Sequence, residues 1–251
     1  MKIGKNKTEI NMTKLLLLSN STNPGEPYLN YPKHNIKAFL GDKPVKAVFI
    51  PYAAVTFSYD EYENKVNNRF EEIGHSVVGI HHFDNPKQAI QDAEAIVIGG
   101  GNTWKLVRTM RDNGLIDLIR EKVKNGAPYI GWSAGSNVAC PTLRTTNDMP
   151  IIDPLGFDTI NLVPFQINPH YTDAHPEGHG GETREMRINE FIIQNPDAYV
   201  VGLREGTMLW VDENDSKKPI QLIGNKTARI FKNGQEPYEL NNKDDFNFLM
   251  K

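Results

Sequence analysis

Four things are scarce in this chain of 251 residues, and each scarcity narrows the reading. There is a single cysteine, Cys140. One thiol cannot close an internal disulfide, so the fold does not depend on an oxidising compartment. No apolar run approaches the roughly 18 residues that a membrane helix needs; Leu15–Leu18 is an uninterrupted stretch of only 4. There is no basic surplus: the formal net charge is -3, which removes the electrostatic footprint expected of a nucleic-acid binder. No internal repeat, low-complexity tract or long linker breaks the chain. The first residues, MKIGKNKTEINM, are basic and polar with no secretory apolar core behind them. Residues 1–12 therefore read as a short flexible extension and 13–251 as one domain, with the cytoplasm as the expected location.

What is present is an alternation of short buried runs with longer amphipathic ones. Apolar residues make up 39% of the chain, enough to fill a substantial core. Strands are expected at Leu15–Leu18, Val45–Ile50, Ser76–Ile80, Ala95–Ile98 and Tyr129–Gly131. Helical patterns fill about Tyr28–Leu40, Ser58–Ile73 and Pro86–Asp92, and resume from Thr103 to an apolar face that includes Ile119 and Val123. Buried strands alternating with helices imply a mostly parallel α/β sheet with helices on both faces. The last third changes to shorter β-like runs over 198–211 and 219–239, read as an antiparallel extension of the same domain. Ligands of such sheets bind at the carboxyl ends of the strands, where two small-residue turns fall.

The first turn, Gly131-Trp132-Ser133-Ala134-Gly135, fits G-x-S-x-G directly after a buried strand. That pattern is a strand-to-helix turn so tight that only small neighbours fit, and it holds the serine hydroxyl exposed. Ser133 is the candidate nucleophile, and the N–H of Ala134, at the start of the next helix, a candidate oxyanion donor. The second turn, Gly99-Gly100-Gly101-Asn102, presents bare N–H groups and offers a second donor from Gly101. Neither G-x-G-x-x-G nor a phosphate-binding G-x-x-x-x-G-K-[ST] loop is present, so no nucleotide cofactor is expected.

A serine needs a base. Of 7 histidines, His170 is favoured, because it follows a short apolar run and Pro169 fixes its approach. His175 and His179 are weaker alternatives that also fit a solvated polar loop. His81 and His82 follow a strand, where adjacent residues of an extended segment point opposite ways. The spacing of His170, His175 and His179 with Asp173 and Glu177 matches no H-E-x-x-H or paired-cysteine metal site, so no metal is expected. Two carboxylates remain as orienters of the base. Asp148 lies in TTNDMP, and Glu205 lies in the turn after the strand Tyr199–Gly202; placement at a strand end favours Glu205. Arg184, Ile188 and Phe191 share a helix face, which turns Arg184 inward and gives it need of an anion; an internal salt bridge to Glu182 or Glu185 is the competing reading.

Together the stretches LLLLSNST (15–22), GGGN (99–102), YIGWSAGSNVACPTLRTTNDMPI (129–151), INPHYTDAHPEGHGGETREMRINEF (167–191) and LREG (203–206) resemble the peptidase E family of aspartyl dipeptidases, from about Leu15 onward. The resemblance implies a flavodoxin-like fold similar to class I glutamine amidotransferases, with serine in place of their cysteine. It implies Ser133 as nucleophile, His170 as base and Glu205 as the third member of the triad. Asp148 matches an aspartate also regarded as essential in the family, and Arg184 the arginine that reads the aspartyl side chain. Asp148 or Asn102 is left to meet the substrate amine. Ser136 and Arg204 depart from the family pattern, standing where other members often carry alanine and proline. The expected partner is a small peptide with N-terminal aspartate, cleaved by a monomer or small homo-oligomer without cofactor, nucleic acid or membrane. A β-aspartyl or cyanophycin-type hydrolase and a non-catalytic aspartyl-ligand binder are the alternatives.

Overall fold

Five buried strands stack side by side and in one direction, because each is apolar on both faces and can only be covered by helices. The computed structural model describes residues 13–174, 178 and 180–251. The expected extension over 1–12, and His175, Glu177 and His179, lie outside the described residues. The strands β1 (Lys14–Leu18), β2 (Lys46–Ile50), β3 (Ser76–Gly79), β4 (Ile96–Ile98) and β5 (Tyr129–Trp132) lie in the order β3-β2-β4-β5-β1. All neighbouring pairs among them are parallel. The same sheet is continued beyond β1 by two antiparallel strands, β8 (Met208–Asp212) and β9 (Ile220–Ile223).

Helices cover both faces, as expected. Helix α1 (Lys33–Leu40) and α2 (Tyr59–Glu71) bury Ile36, Phe39, Tyr62, Val66 and Phe70 against one side. On the other side α3 (Pro86–Asp92), α4 (Thr103–Asp112) and α5 (Ile116–Lys124) contribute Ile90, Leu106, Met110, Ile119 and Val123. Local chemistry sets the boundaries. Ser58 and Glu61 form a reciprocal capping box at the start of α2. Helix α1 starts only after Pro32, later than the expected Tyr28, because the residue before a proline is disfavoured in helical conformation. The pattern opening at Thr103 is two helices, separated at Gly114, whose φ of 63° breaks the helical run.

The C-terminal third carries the expected antiparallel extension, and it is divided between two sheets. β8 and β9 join the main sheet. β6 (Gln166–Tyr171), β7 (Tyr199–Arg204), β10 (Ala228–Lys232) and β11 (Tyr238–Leu240) form a second sheet in the order β11-β10-β7-β6. Within it β6 and β7 run parallel, because α7 (Arg184–Gln194) crosses over between them. One face of this sheet feeds Ile167, Val201, Leu203 and Ile230 into the main core, and the other packs Val200 and Phe231 under Ile188 and Ile192 of α7. The parallel register sets the carboxyl ends of β6 and β7 side by side, pairing Tyr171 with Arg204. Their next or adjoining residues are His170 and Glu205.

Candidate active site

Ser133 occupies a backbone conformation that side chains rarely adopt, φ 53° and ψ -113°, between the end of β5 and the short helix α6 (Ala134–Asn137). The surrounding glycines are needed on steric grounds. A Cβ on Gly131 would lie 2.5 Å from the carbonyl oxygen of Gly135, and one on Gly135 would lie 2.1 Å from that of Ile98. The turn is anchored to the neighbouring strand by Ser133 N–H donating to Leu18 O at 3.1 Å. Ser136 adds its hydroxyl, 2.6 Å from Leu18 O and 2.8 Å from Gly131 O. The departure from alanine at this position thus reinforces the same turn. Gly135→Ala is expected to destabilise the protein by about 1–3 kcal/mol, since the backbone of β4 must give way. Urea unfolding should show this as a lower midpoint at unchanged slope.

The side chain of Ser133 meets the second sheet. Its Oγ lies 2.9 Å from His170 Nε2, and His170 Nδ1 lies 2.7 Å from Glu205 Oε1. An ionised carboxylate only accepts, so Nδ1 carries the ring proton and Nε2 is left with a lone pair toward the serine hydroxyl. His170 also has a positive φ of 54°, and its N–H donates to Ser19 Oγ at 2.9 Å. Ser19 in turn donates to Leu203 O at 2.7 Å, and Asn20 Oδ1 accepts from Gly206 N–H at 2.8 Å. The Ser19-Asn20 step at the end of β1 therefore holds both the His170 and the Glu205 segments. No sequence motif marks these two residues; their place at the carboxyl end of the strand beside β5 is the signal that does.

The two candidate acids separate cleanly. Glu205 contacts His170. Asp148 instead sits at the N-terminus of α4, where Oδ2 accepts from Thr103 N–H at 2.7 Å, Thr103 Oγ1 at 2.6 Å and Thr146 Oγ1 at 3.0 Å. Its backbone carbonyl accepts from Trp104 Nε1 at 3.0 Å. Asn102 caps the same helix through Oδ1 and donates from Nδ2 to Met149 O at 2.9 Å. Asn147 continues the chain of bonds by donating to Pro169 O at 2.7 Å. The TTND loop thus ties the glycine turn after β4 to the segment that carries His170.

Gly101 has φ 134°, and a Cβ there would lie 2.3 Å from Ala53 O. Among the described residues, no hydrogen bond uses the N–H of Gly101 or of Ala134. Gly100, Gly101, Trp132, Ser133 and His170 border a cleft of about 370 Å³ whose other wall is Ser21, Tyr28, Phe57, Tyr62 and Lys65. Tyr62 donates to Gly100 O at 2.9 Å and accepts from Trp132 Nε1 at 3.0 Å, and burial pushes its hydroxyl up to about 12, keeping it neutral. Lys65, which sequence reading did not single out, places its ammonium 4.2 Å from the Tyr28 ring centre.

Arg184 follows the N-cap Thr183 of α7 and donates from Nη1 to His170 O at 2.8 Å. Neither Glu182 nor Glu185 pairs with it: Glu182 faces Arg187 at 3.6 Å and Glu185 faces Arg229 at 2.8 Å. Burial, then the nearby Arg187, lowers the Arg184 pKa from its ordinary value, and an arginine so lowered still carries its charge. Arg204 is engaged elsewhere, with Asp173 at 2.6 Å and Glu239 at 2.7 Å. Burial opposes its charge, but these bonds prevail and raise its pKa. Cys140 is fully buried, its thiol pushed up to about 12 by that burial, and so is inert. Among the described residues no helix is long and apolar enough to cross a membrane.

A serine, imidazole and carboxylate in one hydrogen-bonded line, beside free N–H groups on a strand-end turn, define a hydrolase site of the serine type. The model of peptidase family S51 matches residues 15–218, and the chain belongs to that family and is a peptidase. It is 54% identical to Peptidase E of Nostoc sp. over 238 residues, covering 95% of this chain and 97% of the relative. It is 49% identical to Peptidase E of Shigella flexneri over 227 residues, covering 90% and 97%. The fold is shared with the crystal structure of a peptidase from an acI-B1 actinobacterium, at TM-score 0.66 and 19% identity over 94% of this chain and 97% of that one.

Proposed function

We propose that the protein is a serine dipeptidase that releases N-terminal aspartate from dipeptides and some tripeptides through an acyl-enzyme on Ser133. The observation that carries this reading is the unbroken line Glu205–His170–Ser133, at 2.7 and 2.9 Å, opening on a small cleft. His170 Nε2 takes the hydroxyl proton as Oγ attacks the first peptide carbonyl. Glu205 holds the ring in the required tautomer and stabilises the imidazolium that forms. The oxyanion rests on the N–H groups of Gly101 and Ala134. His170 then protonates the leaving amine, and water, activated by the same ring, releases aspartate.

Recognition falls to Arg184 in this reading. It is a half-buried cation without a carboxylate partner among the described residues, and its bond to His170 O keeps it beside the base. The substrate β-carboxylate supplies the missing anion as a charge-assisted pair. Asp148 shapes the site by fixing the start of α4, and Asn102 keeps the second lone pair of Oδ1 for the substrate ammonium. The place of action is the cytoplasm, since a chain with a single cysteine needs no oxidising compartment to fold.

The test is aspartate release from Asp-Leu against asparagine release from Asn-Leu. Wild type is expected to favour Asp-Leu in kcat/KM by about 10²-fold or more, because the neutral amide leaves a half-buried cation unpaired. Arg184→Gln should erase most of that preference, losing Asp-Leu turnover while barely changing Asn-Leu. Equal wild-type rates on the two peptides would exclude the role given to Arg184.

A further inference from the structure

Away from the serine site, two histidines and two carboxylates converge at the start of α2. Asp60 and Glu63, at i and i+3, project from the same face of the helix. His81 and His82 lie in a 3₁₀ turn, Ile80–His82, that follows β3. The expectation that these neighbouring histidines point apart is corrected here. An extended segment would diverge them, but the tight turn brings their ring centres to 4.1 Å. Both Nε2 atoms face the same carboxylates: His81 lies 2.8 Å from Asp60 Oδ1 and 3.7 Å from Glu63 Oε2, while His82 lies 3.5 Å and 2.6 Å from the same two atoms.

We propose that Asp60, Glu63, His81 and His82 form a binding site for one divalent d-block cation of the Zn²⁺ type, structural rather than catalytic. Three observations carry it. First, one ligand atom from each of the four residues lies within 4.8 Å of every other. A tetrahedral Zn²⁺ with bonds of about 2.0–2.2 Å sets its ligand atoms about 3.3–3.6 Å apart, so the closest pairs open by about 0.5–1 Å to admit the ion. Second, the donor set is two imidazoles and two carboxylates, the borderline mix that Zn²⁺ prefers, and with neutral rings its charge of -2 is what a dication neutralises. Among the described residues no lysine or arginine pairs with Asp60 or Glu63. Third, the backbone makes room for the cluster. A Cβ on Gly79 would lie 2.2 Å from His81 Cε1 and 2.7 Å from Glu63 Oε2, so a larger residue there would push the ring and the carboxylate out of their present places.

The consequence is a clamp. Binding fastens the first turn of α2 to the end of β3, and α2 also carries Tyr62 and Lys65 of the cleft wall. The site needs no step of the hydrolytic reaction and does not rest on the assignment of Ser133.

The experiment is calorimetric titration of chelator-stripped, full-length protein with ZnCl₂, beside Asp60→Asn, His82→Gln and Gly79→Ala. Wild type is expected to take up one Zn²⁺ per chain and to melt several degrees higher with the ion than without. Asp60→Asn and His82→Gln, both at the exposed side of the cluster, should keep the metal-free melting temperature, weaken uptake by about tenfold or more and abolish the rise. Absence of stoichiometric uptake by wild type overturns the proposal and leaves a cluster of imidazole–carboxylate pairs. Uptake that persists undiminished in Asp60→Asn and His82→Gln overturns it too, by placing the ion at other residues.

Discussion

Ser133→Ala should abolish aspartate release from Asp-Leu, lowering kcat by about 10⁴-fold or more while the protein stays folded. The size follows from what is removed. In the proposed mechanism Oγ is the attacking atom, and neither neighbour in the chain replaces it: Ser136 is fully buried and bonded to backbone carbonyls, and Cys140 is buried and protonated. What survives, the N–H groups of Gly101 and Ala134 and the binding cleft, sustains only the modest residual catalysis that triad deletions leave behind. The fold should be insensitive, because the bond lost is a single contact with His170 that is open to solvent on one side. The backbone anchors of the turn, Ser133 N–H on Leu18 O and Ser136 Oγ on the same carbonyl, are untouched. Steady-state release of free aspartate, with a thermal melt as the control, checks both halves. A residual rate above a hundredth of wild type at an unchanged melting temperature would remove Ser133 from the mechanism.

That Ser133 is the sharpest signal in the sequence, with His170 favoured as its base and Glu205 preferred over Asp148 only by placement, has a physical reason. A strained strand-to-helix turn constrains residues within 2 positions, so Gly131 and Gly135 announce it locally. The alternation of buried strands and amphipathic helices is local in the same way, and the parallel core follows from it. His170 was favoured because Pro169 and a strand end are also near it in sequence. The choice between Asp148 and Glu205 is different. The contact of Glu205 with His170 comes from the parallel pairing of β6 with β7 and from the Ser19 bridge, which reaches residues more than 150 positions away. The neighbourhood of Glu205 shows a strand end, which favours it, but does not show which strand lies alongside. The second sheet was missed for the same reason: β8 leaves β7 to join β1, and short β runs do not say which edge they will find. His81 and His82 converge rather than diverge because the chain leaves β3 in a 3₁₀ turn, which local sequence does not distinguish from a longer strand.

Exchanging the two acids for their amides separates orientation from support. Glu205→Gln is expected to lower kcat by about 10²–10⁴-fold with little change in KM. The carboxylate at 2.7 Å from Nδ1 selects the productive tautomer and meets the imidazolium with opposite charge. A glutamine supplies no charge, and its amide can turn an N–H toward Nδ1 and favour the wrong tautomer. The loss should fall short of the most severe cases, because Glu205 is 43% and His170 38% exposed and water screens the pair. Asp148→Asn acts elsewhere. Its Oδ2 accepts from Thr103 N–H and two hydroxyls at the start of α4, and asparagine keeps an accepting oxygen there. What it loses is a negative charge at the positive end of a helix, worth about 0.5–2 kcal/mol of stability. KM should rise, as the glycine turn beside the cleft loosens, and kcat should change by less than about tenfold. Kinetics on Asp-Leu give kcat and KM for both variants, and urea unfolding gives their stabilities. A large kcat loss in Asp148→Asn with a mild one in Glu205→Gln would reassign the orienting acid, and would require the TTND loop to reach His170 in the substrate complex.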